Sequence, residues 1–183
     1  MELSNILLEN LKGKALEQIS KKVGGDKKST KSIAAQALPL ILAQLEKNSQ
    51  DTKEAKKINE ALNSHVWKSK IDIDDGMKIL SHIFGKNTDN VIGKIAQASW
   101  QNKKQSAGVM SALSSVIMET LGDQKKAAGG FDTADLVKLL SGTGKDANIL
   151  GMVMDQDGDW DFDKNDAMKF GLGWIQKNFF SKK

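Results

Sequence analysis

An all-α fold is predicted, on three observations. Apolar residues recur at helical steps of three to five positions along most of the chain. Strand signals are nearly missing: Tyr is absent, Thr is sparse, and no run alternates apolar with polar residues over a useful length. The pattern of apolar positions also repeats at an offset of 76 residues, as two copies of one helical packing unit would.

The first helix carries Leu3, Ile6, Leu7, Leu11, Leu16, Ile19 and Val23 on one stripe, interrupted near Gly13, and Gly24-Gly25 stops it. A second is expected from Ser29 or Thr30, with Ile33, Ala37, Leu38, Ile41, Leu42 and Leu45 on its apolar side. Pro39 lies inside it, removes one backbone donor and should bend it. Residues 48–70 are polar and Lys-rich, with one short helical run around Glu54–Trp67. Asp74 or Asp75 can cap a helix to Phe84, closed by Gly85, and Thr88 can cap the next, through Ser99. A long helix follows from about Lys103 to Leu121, closed by Gly122. Gly129-Gly130 precede a short helix, Thr133–Leu140, capped by Asp132. The loop SGTGKD leads to a helix over Asp146–Met154, an acidic loop, and a last helix over Asp166–Phe180.

The repeat sets Leu3, Leu7 and Leu8 on Ile79, Ile83 and Phe84, and Ala15, Leu16 and Ile19 on Val91, Ile92 and Ile95. It sets the turn Asp26-Lys27-Lys28 on Asn102-Lys103-Lys104. Ile33, Ala37, Leu40, Ile41, Leu42 and Leu45 fall on Val109, Leu113, Val116, Ile117, Met118 and Leu121. The expected organisation is repeat one over 1–47, a polar linker with a short helix over 48–72, repeat two over 73–122, and C-terminal helices with the acidic loop over 123–183.

Composition bounds the function. Without Cys, disulfides, thiolate catalysis and sulfur-ligated zinc are excluded. All 27 basic residues are Lys. Arg is the preferred fork for guanine edges and phosphates, so sequence-specific DNA reading is not expected. Residues 1–70 hold 13 Lys against 8 acids, a modestly basic front half that could touch acidic partners weakly. The opening MELSNILLENL is acidic and amphipathic rather than a signal peptide, and no apolar stretch approaches the roughly 20 residues of a membrane span. A cytoplasmic protein is the expectation.

The candidate site is Asp155–Asp166, DQDGDWDFDKND. Counted from Asp155, carboxylates fall at loop positions one, three, five, seven, nine and twelve, the spacing of a helix–loop–helix calcium site. Asp155, Asp157 and Asp159 would give the first carboxylates, Asp161 its main-chain carbonyl, Asp163 a direct or water-bridged contact, and Asp166 the closing ligand. Phe162 at position eight would tie the loop to the core. Calcium is the expected ion and magnesium the second choice, acting as a structural clip rather than a switch. Two features depart from the pattern. Trp160 stands at position six, where the turn needs positive φ, at a cost of about 1–2 kcal/mol, and Asp166 has a shorter reach than the usual Glu. The alternative is a solvated acidic turn. The loop resembles dockerin-type loops locally.

Other signals are weaker. His65 and His82 have no Cys or acid at metal-ligand spacing, and GxSxG is absent. Ser141-Gly-Thr-Gly-Lys145 lacks the full phosphate-loop spacing, and the four Trp do not interleave with basic residues as a stacking platform would. Met168, Phe170, Leu172, Trp174, Ile175, Phe179 and Phe180 make the last helix apolar, as a lid on the core or a membrane-surface helix.

Three stretches carry a family resemblance: Asp75-Gly-Met-Lys-Ile-Leu-Ser-His-Ile-Phe-Gly85, the helix Val109–Leu121 with its VIMETLG ending, and the tail MDQDGDWDFDKNDAMKFGLGW. Together, over about residues 73–175, they resemble the YidB-like bacterial domains of unknown function (domain of unknown function 937). The resemblance implies an all-helical bundle of homeodomain-like units and no activity. Trp160 departs from it, standing where a Gly is usual. The functional expectation is a non-enzymatic bacterial binding or scaffold module with a structural calcium-type loop and a protein partner. A weak nucleic-acid or anionic-surface binder, using the Lys-rich front half, is the alternative.

Overall fold

The computed structural model describes residues 6, 7, 11, 14–65 and 71–141. Every regular element among them is helical. Helix α1 spans Lys14–Val23, α2 Lys27–Ser49, α3 Thr52–Ser64, α4 Ile73–Phe84, α5 Thr88–Ala98, α6 Lys103–Ala127 and α7 Thr133–Leu140.

The two long helices, α2 and α6, pack on each other at the centre, and each other helix packs on one or both. That position explains their composition. Residues 109–118 of α6 and 33–39 of α2 are buried on all sides, so neither can afford a polar face there. Three hydroxyls inside α6 are satisfied within it: Ser111 donates to the Ala107 carbonyl (2.8 Å), Ser114 to Met110 (3.0 Å) and Thr120 to Val116 (2.8 Å). Small side chains also let neighbours come close. At Gly76 of α4 an added Cβ would lie 2.0 Å from the Ser111 carbonyl oxygen of α6.

Several helix ends differ from expectation. α2 begins at Lys27, ahead of Ser29, because Asp26 is the cap: its carboxylate accepts from the Ser29 amide (2.9 Å) and hydroxyl (2.6 Å). The Ser29 hydroxyl, then its amide, hold the Asp26 carboxyl below the usual carboxylate range. This cap is therefore complete at neutral pH and is lost as the pH falls through that lowered range. α2 runs through Pro39 and ends at Ser49. Asp72, not Asp74 or Asp75, caps α4, accepting from the Asp75 amide (3.0 Å). α5 starts at Thr88 without a side-chain cap. Gly122 does not stop α6, which continues to Ala127. That glycine instead faces α3, where a Cβ would lie 3.1 Å from the Leu62 carbonyl oxygen. α7 has the expected bounds and Asp132 cap, reinforced by Asp135 into a capping box.

Two connections share one geometry at the 76-residue offset. After α1, Gly24 has φ +69 and the Gly25 amide donates to the Ser20 carbonyl (3.1 Å). After α5, Trp100 has φ +56 and the Gln101 amide donates to Ala96 (2.9 Å). Both are Schellman endings. Asp26 and Asn102 then cap α2 and α6. Leu16 and Ile19 are buried as Ile92 and Ile95 are, and Ile33, Ile41 and Leu45 as Val109, Ile117 and Leu121 are. The short helix expected around Glu54–Trp67 within the polar linker is α3, Thr52–Ser64, and its Ala55, Ile58 and Leu62 enter the core.

Candidate functional site

The side chains of Asp155, Asp157, Asp159, Asp161, Asp163 and Asp166 all lie outside the described residues, as does the loop after Ser141. Among the described residues, no group of three or more His, Asp and Glu side chains is placed to hold a metal ion.

Both histidines are engaged. His65 is buried at the end of α3, with Nδ1 2.7 Å from the Ala61 carbonyl oxygen and Nε2 3.0 Å from Asp75 Oδ2. The carbonyl can only accept, which assigns a proton to Nδ1. The ring thereby ties the end of α3 to the start of α4. His82 is half exposed, 3.3 Å from Glu54 Oε2. Lys57, donating to Glu54 at 2.7 Å, is the main reason the Glu54 carboxyl is held below its usual range, with His82 adding to it.

An open groove of about 610 Å³ lies where α4, α5 and the start of α6 meet. α4 contributes Met77 and Ser81, α5 contributes Thr88, Asp89 and Ile92, and α6 contributes Lys103, Lys104 and Ala107. The floor is apolar and one end is positive. That end carries the first-turn amides of a 25-residue helix whose first turn holds two lysines and no acid, the reverse of what a helix N-terminus favours. Lys103 reaches Asp89 at 2.6 Å in an exposed pair, worth little by itself. Lys104 has no partner among the described residues.

The turn entering this end carries Trp100. It is 92% exposed and stands at φ +56, the only non-glycine with positive φ among the described residues. An aromatic residue in this region is a backbone outlier. Sequence reasoning passed over it because the four Trp do not interleave with Lys. The signal that finds it is the 76-residue offset, which sets Trp100 on Gly24.

No helix among the described residues is long and apolar enough to cross a membrane. Neither a curated protein nor a solved structure matches the chain. The model of a bacterial protein family of unknown function, DUF937, matches residues 5–124. This match takes in the first half of the chain along with the stretches at 75–85 and 109–121, and it ends before the acidic run. Spanning α1 to α6, it shows that the chain belongs to the DUF937 family of bacterial proteins.

Proposed function

We propose that this protein is a non-catalytic interaction module of the bacterial cytoplasm. Its recognition face is the α4–α5–α6 groove together with the turn that carries Trp100. One observation carries the reading: a large aromatic side chain is held in solvent on a strained backbone. The left-handed conformation costs about 1–2 kcal/mol for a residue with a Cβ. Exposure at 92% means that Trp100 returns almost none of this through packing. Gly24 makes the same Schellman ending without the strain. Strain retained where the fold gains nothing points to a use outside the fold. Trp is also the residue type richest in interface hot spots.

Trp100→Gly should therefore raise stability, by about 1 kcal/mol, and lift the melting temperature by a few degrees with an unchanged circular dichroism spectrum. A lower melting temperature would mean that Trp100 serves the fold, and the reading would fall.

Two copies of one unit, α1–α2 and α5–α6, belong to the same proposal. It is supported by the matched Schellman endings, the matched caps and the shared buried positions. The order short, short, long in α4, α5 and α6 supports the homeodomain-like description. The burial of residues 109–118 argues against use of the long helix in a DNA groove. In the Lys-rich front half, Lys21, Lys56 and Lys57 lie beside Glu17, Glu60 and Glu54 of their own helices, which weakens the anionic-surface alternative.

A second reading rests on ligand spacing alone: Asp155–Asp166 holds calcium, or magnesium as second choice, as a structural clip. Millimolar calcium should then raise the melting temperature, and Asp155→Ala with Asp159→Ala should abolish the rise. Identical melting curves with calcium and with chelator would refute it.

A further inference from the structure

We propose that the groove receives Trp100 of a second copy of this chain, so that two copies pair about a two-fold axis. The inference rests on the reading of this face as the binding face and names its partner. A projecting aromatic and an apolar hollow lie side by side here. Lys103, Lys104 and Ala107 line the groove, and Trp100 stands in the turn just ahead of them, 92% exposed. That turn is fixed at both ends: the Gln101 amide donates to the Ala96 carbonyl, and the Asn102 side chain accepts from the Gln105 amide. Trp100 is thereby held outside its own groove, which leaves the groove of another molecule to take the indole. When it does, a two-fold axis makes the reverse contact at the same time, because both partners carry the same knob and the same hollow.

The two features also occur together. At the 76-residue offset, Gly24 stands where Trp100 does and Lys31 where Ala107 does. The half of the chain without the knob therefore has a long charged residue at the floor position. The rim is of mixed sign, with Asp89 on the α5 wall and Lys104, unpaired among the described residues, on the α6 wall. A two-fold that seats both indoles lets Asp89 of each copy meet Lys104 of the other, whereas a purely acidic partner would be opposed by Asp89. Size sets the strength. A Trp side chain buries about 150–250 Å². Both knobs and the surfaces that receive them come to about 1,000 Å² at most, the lower end for specific interfaces. The pair is therefore weak and concentration-dependent.

Analytical ultracentrifugation of the full chain tests this. Between roughly 10 µM and 1 mM, the range for a contact of this size, the wild type is expected to pass from monomer to dimer and stop there. Trp100→Ala removes the knob, and Ala107→Lys blocks the hollow with the residue type found 76 positions earlier. Each variant alone should self-associate at least about tenfold more weakly, with melting curves showing that each is folded. Mixed in equal amounts, the two should form mixed dimers tighter than either makes with itself, because the Ala107→Lys copy still offers a knob and the Trp100→Ala copy a hollow. A wild type still monomeric at about 1 mM, association unchanged in either variant, or no recovery on mixing would each overturn the proposal. Growth beyond two would overturn it in favour of head-to-tail contact. The Trp100→Gly melting comparison, made at about 1 µM where the chain is monomeric, depends on none of these outcomes, so failure of this inference is distinguishable from failure of the proposed function.

Discussion

Gly76→Ala is expected to destabilise the protein by about 2 kcal/mol, although alanine is the better helix former. The missing methyl is where α4 meets α6 in the most extensive helix pairing of the described structure. An ideal Cβ would lie 2.0 Å from the Ser111 carbonyl oxygen and 2.7 Å from its carbonyl carbon. Both are backbone atoms of a buried helix, so no side chain can swing aside. α4 must move off α6 by more than 1 Å, loosening the packing around Leu80 and Ile83. Overpacking of this kind costs about 1–3 kcal/mol and sometimes more. The gain from replacing a helical Gly is about 1 kcal/mol, so the steric term wins. Gly122→Ala is the control. Its Cβ would lie 3.1 Å from the Leu62 carbonyl oxygen and 3.3 Å from that of His65, a shift of tenths of an ångström that the propensity gain offsets. Urea unfolding of both variants decides the matter. If Gly76→Ala is as stable as Gly122→Ala, the α4–α6 contact is not backbone on backbone.

Leu113→Ala should cost more, about 3 kcal/mol. Leu113 is fully buried in the middle of α6, within the stretch enclosed on every side. Neighbours there belong to several helices at once, so none can collapse into the space without leaving another. The lost transfer energy and the cavity therefore add. Leu113→Met, which keeps the volume, should lose less than about 1.5 kcal/mol. The denaturation midpoint should fall with an unchanged denaturant slope. A loss below about 1 kcal/mol in the Ala variant would show that this part of α6 is not enclosed.

Much of the bundle was legible because helical periodicity and chain punctuation are local. The stripes through Leu16, Ile19, Ile33, Ile41 and Leu45 are buried as the spacing demands. Gly24 and Gly85 terminate helices at positive φ, and Asp132 caps α7. The misplaced ends share a cause. Asp26, with two lysines behind it, reads as a turn, and Asp72, Asp74 and Asp75 are equivalent by type. Only the bond from the Ser29 or Asp75 amide chooses among them. Gly122 reads as a stop, but its role is to admit α3, a tertiary fact absent from local sequence. α3 itself was undervalued because Ala55, Ile58 and Leu62 form a narrow stripe in a Lys-rich segment.

The site was harder to read for a different reason. A metal loop would be written along consecutive residues, so the ligand spacing proposed for Asp155–Asp166 can be read in one dimension. The groove draws Met77, Ile92 and Lys104 from three helices, and no spacing rule joins them. Trp100 falls between these cases. Alone it is one more aromatic in a turn; set on Gly24, it is a residue whose backbone conformation its own side chain opposes.

The packing of α7 on α2 and α3, and of α1 on α6, has a consequence for synthesis. During translation, α1, α2 and α3 emerge first, yet the surface that takes Leu136 and Leu140 stays wet until α7 clears the ribosome. The early half therefore waits, partly finished, for chain made some seventy residues later. Native structure should arrive in one late cooperative step, with nascent chains ending before α7 remaining sensitive to protease.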